Sequence, residues 1–180
     1  MKKYWLIVFP VVILLFFTAC ASKKTLFFTQ GIRENVESYN IDLKDIQFYT
    51  SRKIILERNL TYEETNVSSG KVRFENGQYI ERIIIKKNTQ GVCKEYNTES
   101  IDVAFEQGEN RDLTFVHNAK DQYQVSAIEW EKKFGRIDYD TTTYYISPGG
   151  EKAKLKIKKE DIYKFKKQER VAPGQSVSTK

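Results

Sequence analysis

Histidine and cysteine are nearly absent: His117 is the single histidine, and Cys20 and Cys93 are the two cysteines, in 180 residues. A zinc site needs three or four such ligands, so no metal centre and no cofactor is expected. The same scarcity limits nucleophilic chemistry to one pair, Cys93 with His117. No glycine-rich elbow, helix start or other local feature around Val92-Cys93-Lys94 would lower a thiol pKa. Cys93 is therefore read as a small buried apolar residue and His117 as a strand-end residue. Proline occurs three times, which argues against a disordered chain. No segment recurs at a fixed period, which excludes a propeller or solenoid. Gly149-Gly150 is not followed by Lys-Ser/Thr and does not open a βα unit, so it is no nucleotide-binding loop. The acidic pairs Glu63-Glu64 and Glu160-Asp161 fall in a loop and at a helix start, where charged residues are ordinarily solvated. No catalytic residue is identified, and the chain reads as non-enzymatic.

What is present begins with Met1–Cys20. Lys2 and Lys3 precede an apolar run from Trp5 to Phe17, broken by Pro10. A charged start, a short apolar run and small residues make the layout of a secretory signal. The run is shorter than the ~20 residues a membrane-spanning helix requires. Phe17-Thr18-Ala19-Cys20 resembles the lipobox of bacterial lipoproteins, with Phe17 where Leu is commoner. The resemblance implies that residues 1–19 are removed and that Cys20 is acylated, anchoring the chain to a membrane. Two or three acyl chains, at ~0.8 kcal/mol per buried methylene, hold a protein on a bilayer durably. Cys20 is then consumed by lipid, and no disulfide is expected. Ala21 in place of Asp, by the sorting logic of such lipoproteins, implies the outer membrane. Ala21-Ser22-Lys23-Lys24 lacks the acidic cluster of surface-exported lipoproteins, so the periplasmic face is favoured over the cell surface.

Removal of residues 1–19 takes away Lys2 and Lys3 and no acid, so the net charge falls from +6 to +4. That is mildly basic, not the footprint of a nucleic-acid binder. Residues 20–30 read as a lipidated tether, 31–169 as a single β-rich domain and 170–180 as a disordered tail. Tyr and Phe, at eleven each, suit pleated, half-buried surfaces. Helical spacing is expected between Ile32 and Ile46, with Asn40 capping a short helix that carries Leu43 and Ile46. Extended segments follow at Gln47–Thr50 and Lys53–Arg58, broken near Ser51-Arg52. Lys71–Glu75 alternates before Asn76-Gly77, the pair that supplies positive φ for a type I′ hairpin turn. Ile83-Ile84-Ile85, apolar at every position, suggests a strand covered on both faces. Ile101–Glu106 and Asp112–Val116 pair across a polar turn. Tyr123–Trp130 reads as one long strand turning at Lys132–Gly135. Arg136–Tyr139 and Thr143–Ile146 flank a turn at Asp140-Thr141. Ala153–Lys158 alternates strictly, and Glu160–Gln168 reads as a C-terminal helix with acids in its first turn. The chain is thus expected to be mainly β, an antiparallel sandwich or partly open barrel with a short N-terminal and a C-terminal helix.

Lys154, Lys156 and Lys158 form a basic row. It reads either as the guard of an exposed sheet edge or as a surface for an anionic membrane or acidic partner. Asp140-Thr141-Thr142 resembles the O-glycosylation site of exported proteins of the Bacteroidota, which makes Thr141 a candidate. Two functions fit: an accessory, protein-binding subunit of an envelope or secretion assembly, or a lipid-anchored domain binding a glycan or lipid. The second would use Trp130, Tyr139, Tyr144 and Tyr145 as a platform.

Overall fold

The computed structural model describes residues 25–61, 64, 71–165, 172 and 174. Cys20 and the signal segment lie outside the described residues, as does nearly all of the tail. Among the described residues two antiparallel sheets face one another. The first contains β1 (Thr25–Phe27), β2 (Gln47–Thr50), β6 (Gln90–Tyr96), β7 (Ser100–Ala104), β8 (Asp112–His117), β9 (Tyr123–Val125) and β13 (Leu155–Lys158). Their order is β1-β13-β2-β6-β7-β8-β9. The second contains β3 (Ile54–Leu60), β4 (Lys71–Glu75), β5 (Gln78–Ile85), β10 (Glu129–Glu131), β11 (Phe134–Tyr139) and β12 (Thr142–Ile146), ordered β10-β11-β12-β3-β5-β4. The first sheet curls until single bridges join Thr29 to Gln122 and Gln124 to Lys154. No continuous ladder closes it, so the architecture is sandwich-like and not a barrel.

The core follows from the period-2 pattern. Ile54, Leu56, Ile85, Ile137, Tyr139, Tyr144 and Ile146 from the second sheet meet Phe48, Ile101, Val103, Leu113, Phe115 and Tyr123 from the first, with Phe28 just beyond β1. Each such side chain contributes roughly 1.5–3 kcal/mol on full burial. The three expected hairpins, β4–β5, β7–β8 and β11–β12, all form. Asn76 and Gly77 take φ of 50° and 79° between β4 and β5, and Asp140 and Thr141 take 51° and 62° between β11 and β12. Two consecutive positive φ values match the twist of the flanking strands.

Several elements differ from expectation. Thr25–Phe27, inside the stretch read as a tether, pairs with β13, and the ladder continues into the Phe28 amide donating to the Leu155 carbonyl at 2.9 Å, which seats the Phe28 side chain in the core. The helix α1 spans Gln30–Ser38, with the Thr29 hydroxyl accepting from the Ile32 amide at 3.2 Å. Asn40 caps nothing downstream; at φ 56° it stops α1, a left-handed role that asparagine tolerates. The helical turn expected after it is only a 3₁₀ turn, Leu43–Asp45, capped by Asp42. Ile84 is exposed while Ile85 is buried, because β5 lies one strand from the edge and has a solvated outer face. Tyr123–Trp130 divides into β9 and β10, which belong to different sheets. A second helix, α2, runs from Lys159 to Phe165, with Glu160 and Asp161 in its first turn.

Candidate anion-binding pocket

Three connections carry the chain from one sheet to the other at the same end of the sandwich. They are residues 51–53 between β2 and β3, 86–89 between β5 and β6, and 147–154 between β12 and β13. Backbone hydrogen bonds tie them together. The Ser51 amide donates to the Lys154 carbonyl at 2.8 Å, the Asn88 amide to Thr50 at 2.8 Å, and the Ser147 amide to Ile55 at 2.9 Å. The Lys154 amide donates to the Ser51 hydroxyl at 2.8 Å. Gly149, at φ 97°, adopts the left-handed conformation that lets the third connection turn back.

These connections enclose an open pocket of about 730 Å³, whose wall includes Arg52, Lys53, Lys87, Lys152 and Lys154 with Phe27, Ser147 and Gly150. No carboxylate side chain lines it. The carboxylate of nearby Glu151 accepts from the Gly149 amide. None of the five cations forms an ion pair among the described residues. The Lys154 ammonium donates to Gln122 Oε1 at 2.5 Å and lies 5.5 Å from the centre of the Phe27 ring. Lys156 beside the pocket is depressed below the usual lysine range by burial and then by the charge of Lys87. Behind the wall the Ser147 hydroxyl is buried without a hydrogen-bond partner among the described residues. Such a group costs about 1–3 kcal/mol unless something supplies its bond.

The three lysines of the basic row share the outward side of their strand and make different contacts. Lys154 lines the pocket. The Lys156 ammonium donates to Asn88 Oδ1 at 3.0 Å. Lys158 pairs with Glu160 at 3.6 Å and sits over the Tyr49 ring. They do not guard an edge, because β13 lies between β1 and β2. Arg52, Lys53, Lys87 and Lys152 carry no motif in sequence; their one signal is that basic residues recur just after strand ends.

The aromatic platform is not assembled. Tyr139 and Tyr144 are 1% and 4% exposed and meet edge-to-face at 6.1 Å inside the core. Tyr145 faces outward, and Trp130 covers Gly135, where an added Cβ would approach its ring to 2.6 Å. Tyr144 is pushed up to about 12 by burial and by the bond its hydroxyl donates to Glu81. Cys93 is buried and its thiol is pushed up to about 11 by that burial. It stands on β6 with β7 between it and β8, and the register leaves His117 four residues further along. The separation is roughly 17 Å at ordinary strand spacing, too far for a nucleophile and its base. Thr141 is exposed at its hairpin tip, and Asp140 accepts from Arg111 at 2.7 Å.

The arrangement can concentrate an anion, through focused positive potential and convergent N–H donors. Comparison with family models, curated proteins and solved structures finds no match for this chain.

Proposed function

We propose that the chain is a cell-envelope lipoprotein, anchored at the outer membrane through Cys20, whose β domain binds an anionic ligand without transforming it. The observation that carries this reading is the pocket wall: five cations from three connections, no lining carboxylate, and, among the described residues, no ion pair to any of the five. Like charges gathered this way repel one another, and a bound anion removes that repulsion. Calorimetric titration of the full-length protein with pyrophosphate, at low and high salt, tests the reading. Binding that weakens with salt and is lost in Arg52→Gln/Lys152→Gln supports it. Absence of binding at low salt, or equal binding by the double variant, overturns it.

A second reading, an accessory subunit of an envelope assembly, is favoured by the outer face of the second sheet. Phe134, Tyr145 and Ile84 there are 46%, 45% and 44% exposed. Extraction from membranes in mild detergent, followed by size analysis and mass spectrometry, decides it: a stoichiometric partner supports the subunit, and a monomer removes it.

A further inference from the structure

We infer that the pocket holds the phosphate of a lipid headgroup in the leaflet that carries the anchor. This rests on the anchored, anion-binding reading above and names its ligand. The first argument is reach. Phe27 lines the pocket and ends β1, which starts at Thr25, five residues beyond Cys20. An extended chain spans at most ~3.6 Å per residue, so the pocket wall lies within about 25 Å of the acylated residue. The protein is thereby held at high effective concentration of headgroups, and modest intrinsic affinity suffices for occupancy.

The second argument is the chemistry of the wall. Arg52 supplies a planar fork of donors, while Lys53, Lys87, Lys152 and Lys154 supply point charges spread around the opening. A phosphate has several oxygens facing different directions, and such a dispersed set of donors satisfies it better than it satisfies a planar carboxylate. The third argument is the apolar rim. Phe27 on β1 is 43% exposed beside these cations, with the Lys154 ammonium 5.5 Å from its ring centre. Apolar and cationic side chains side by side match the boundary between acyl chains and headgroups.

The test uses the full-length acylated protein in nanodiscs of phosphatidylcholine, with and without phosphatidylglycerol, released into native mass spectrometry. Wild type is expected to retain one phosphatidylglycerol. Arg52→Gln/Lys152→Gln is expected to lose retention by about tenfold or more, with an unchanged circular dichroism spectrum. Lys87→Gln, alone in its own connection, is the second variant and should weaken retention in the same direction. Inorganic phosphate supplied in solution separates the sources. If it binds as tightly and displaces the lipid, the headgroup assignment falls while the anion-binding function stands. If neither phosphate nor lipid binds, both fall. Retention unchanged in the variants places the lipid elsewhere and overturns the inference.

Discussion

Beside the core, where the inner face of β3 meets β5, lies a charge pair whose removal has a calculable asymmetry. Arg58 Nε donates to Glu81 Oε2 at 2.6 Å, and the Tyr144 hydroxyl donates to the same oxygen at 2.8 Å. A second carboxylate, Glu64, accepts from Arg58 Nη1 at 2.9 Å. Burial opposes the charge on Arg58, yet the bonds to Glu81, Glu64 and Tyr144 raise its pKa overall. Glu81 is the more enclosed partner, with 6% side-chain exposure against 19% for Arg58. Arg58→Met strips the guanidinium from a buried carboxylate and should cost about 3–5 kcal/mol. Glu81→Leu leaves an arginine that keeps Glu64, the Tyr144 ring and partial solvent, so about 2–3 kcal/mol is expected. The double variant removes both charges together and should fall within about 2 kcal/mol of wild type, the residual cost coming from the Tyr144 hydroxyl that loses its acceptor. The coupling is then about 3 kcal/mol or more, at the upper end for neighbouring residues. Urea unfolding near pH 7 measures all four proteins, and equal m-values confirm that the same transition is compared. Additive single effects, or an Arg58→Met cost under about 1 kcal/mol, would refute the reasoning.

Arg33 is 4% exposed in α1 and donates to Tyr123, Glu37 and the carbonyls of Asn97 and Thr98. Arg33→Met should destabilise by about 2–4 kcal/mol in the same urea assay, because it orphans acceptors joining α1 to the β6–β7 turn and β9. The Cys93 thiol, raised to about 11, should resist Ellman's reagent at pH 8 in the folded protein and react at an ordinary rate in denaturant; fast native reaction would contradict its burial. The Asp112 carboxyl is pushed up by burial and then by the charge of Asp102. An acid raised on folding contributes stability below its unfolded pKa, and that contribution is lost as pH rises through the folded value. Asp112→Asn should therefore raise the melting temperature at pH 7, with the gain vanishing below about pH 3; a pH-independent gain would assign it to packing instead.

Local chemistry was legible along the chain. Asn76, Gly77 and Asp140 mark hairpin tips because asparagine, glycine and aspartate tolerate positive φ, a property needing no distant partner, whereas the β-branched Thr141 is held at φ 62° by the turn around it. The alternation of Ala153–Lys158 places Ala153, Leu155 and Ile157 inward and the lysines outward. Cys93, read as a small buried residue on an extended segment, is 6% exposed. Less legible was which residues two-faced segments bury. Tyr139 and Tyr144 point into the core and Tyr145 away from it, a choice set by the register of β12 with β3, whose partner residues lie over 80 positions away in the chain. Periodicity shows that two faces exist and leaves open which one is covered.

The candidate pocket belongs wholly to the second category. Arg52-Lys53, Lys87 and Lys152–Lys154 are separated in the chain by long stretches of both sheets. Each alone reads as an ordinary solvated turn. Sequence by itself determined the antiparallel β class, the tight turns and the lipobox resemblance at Cys20, since composition and short spacing decide these. Tertiary structure alone decided that three sheet-to-sheet crossings end at one pole of the sandwich and bring their cations around a single pocket. The physical reason is that strand order is set by burying two faces against each other, and crossings fall wherever that burial puts the strand ends.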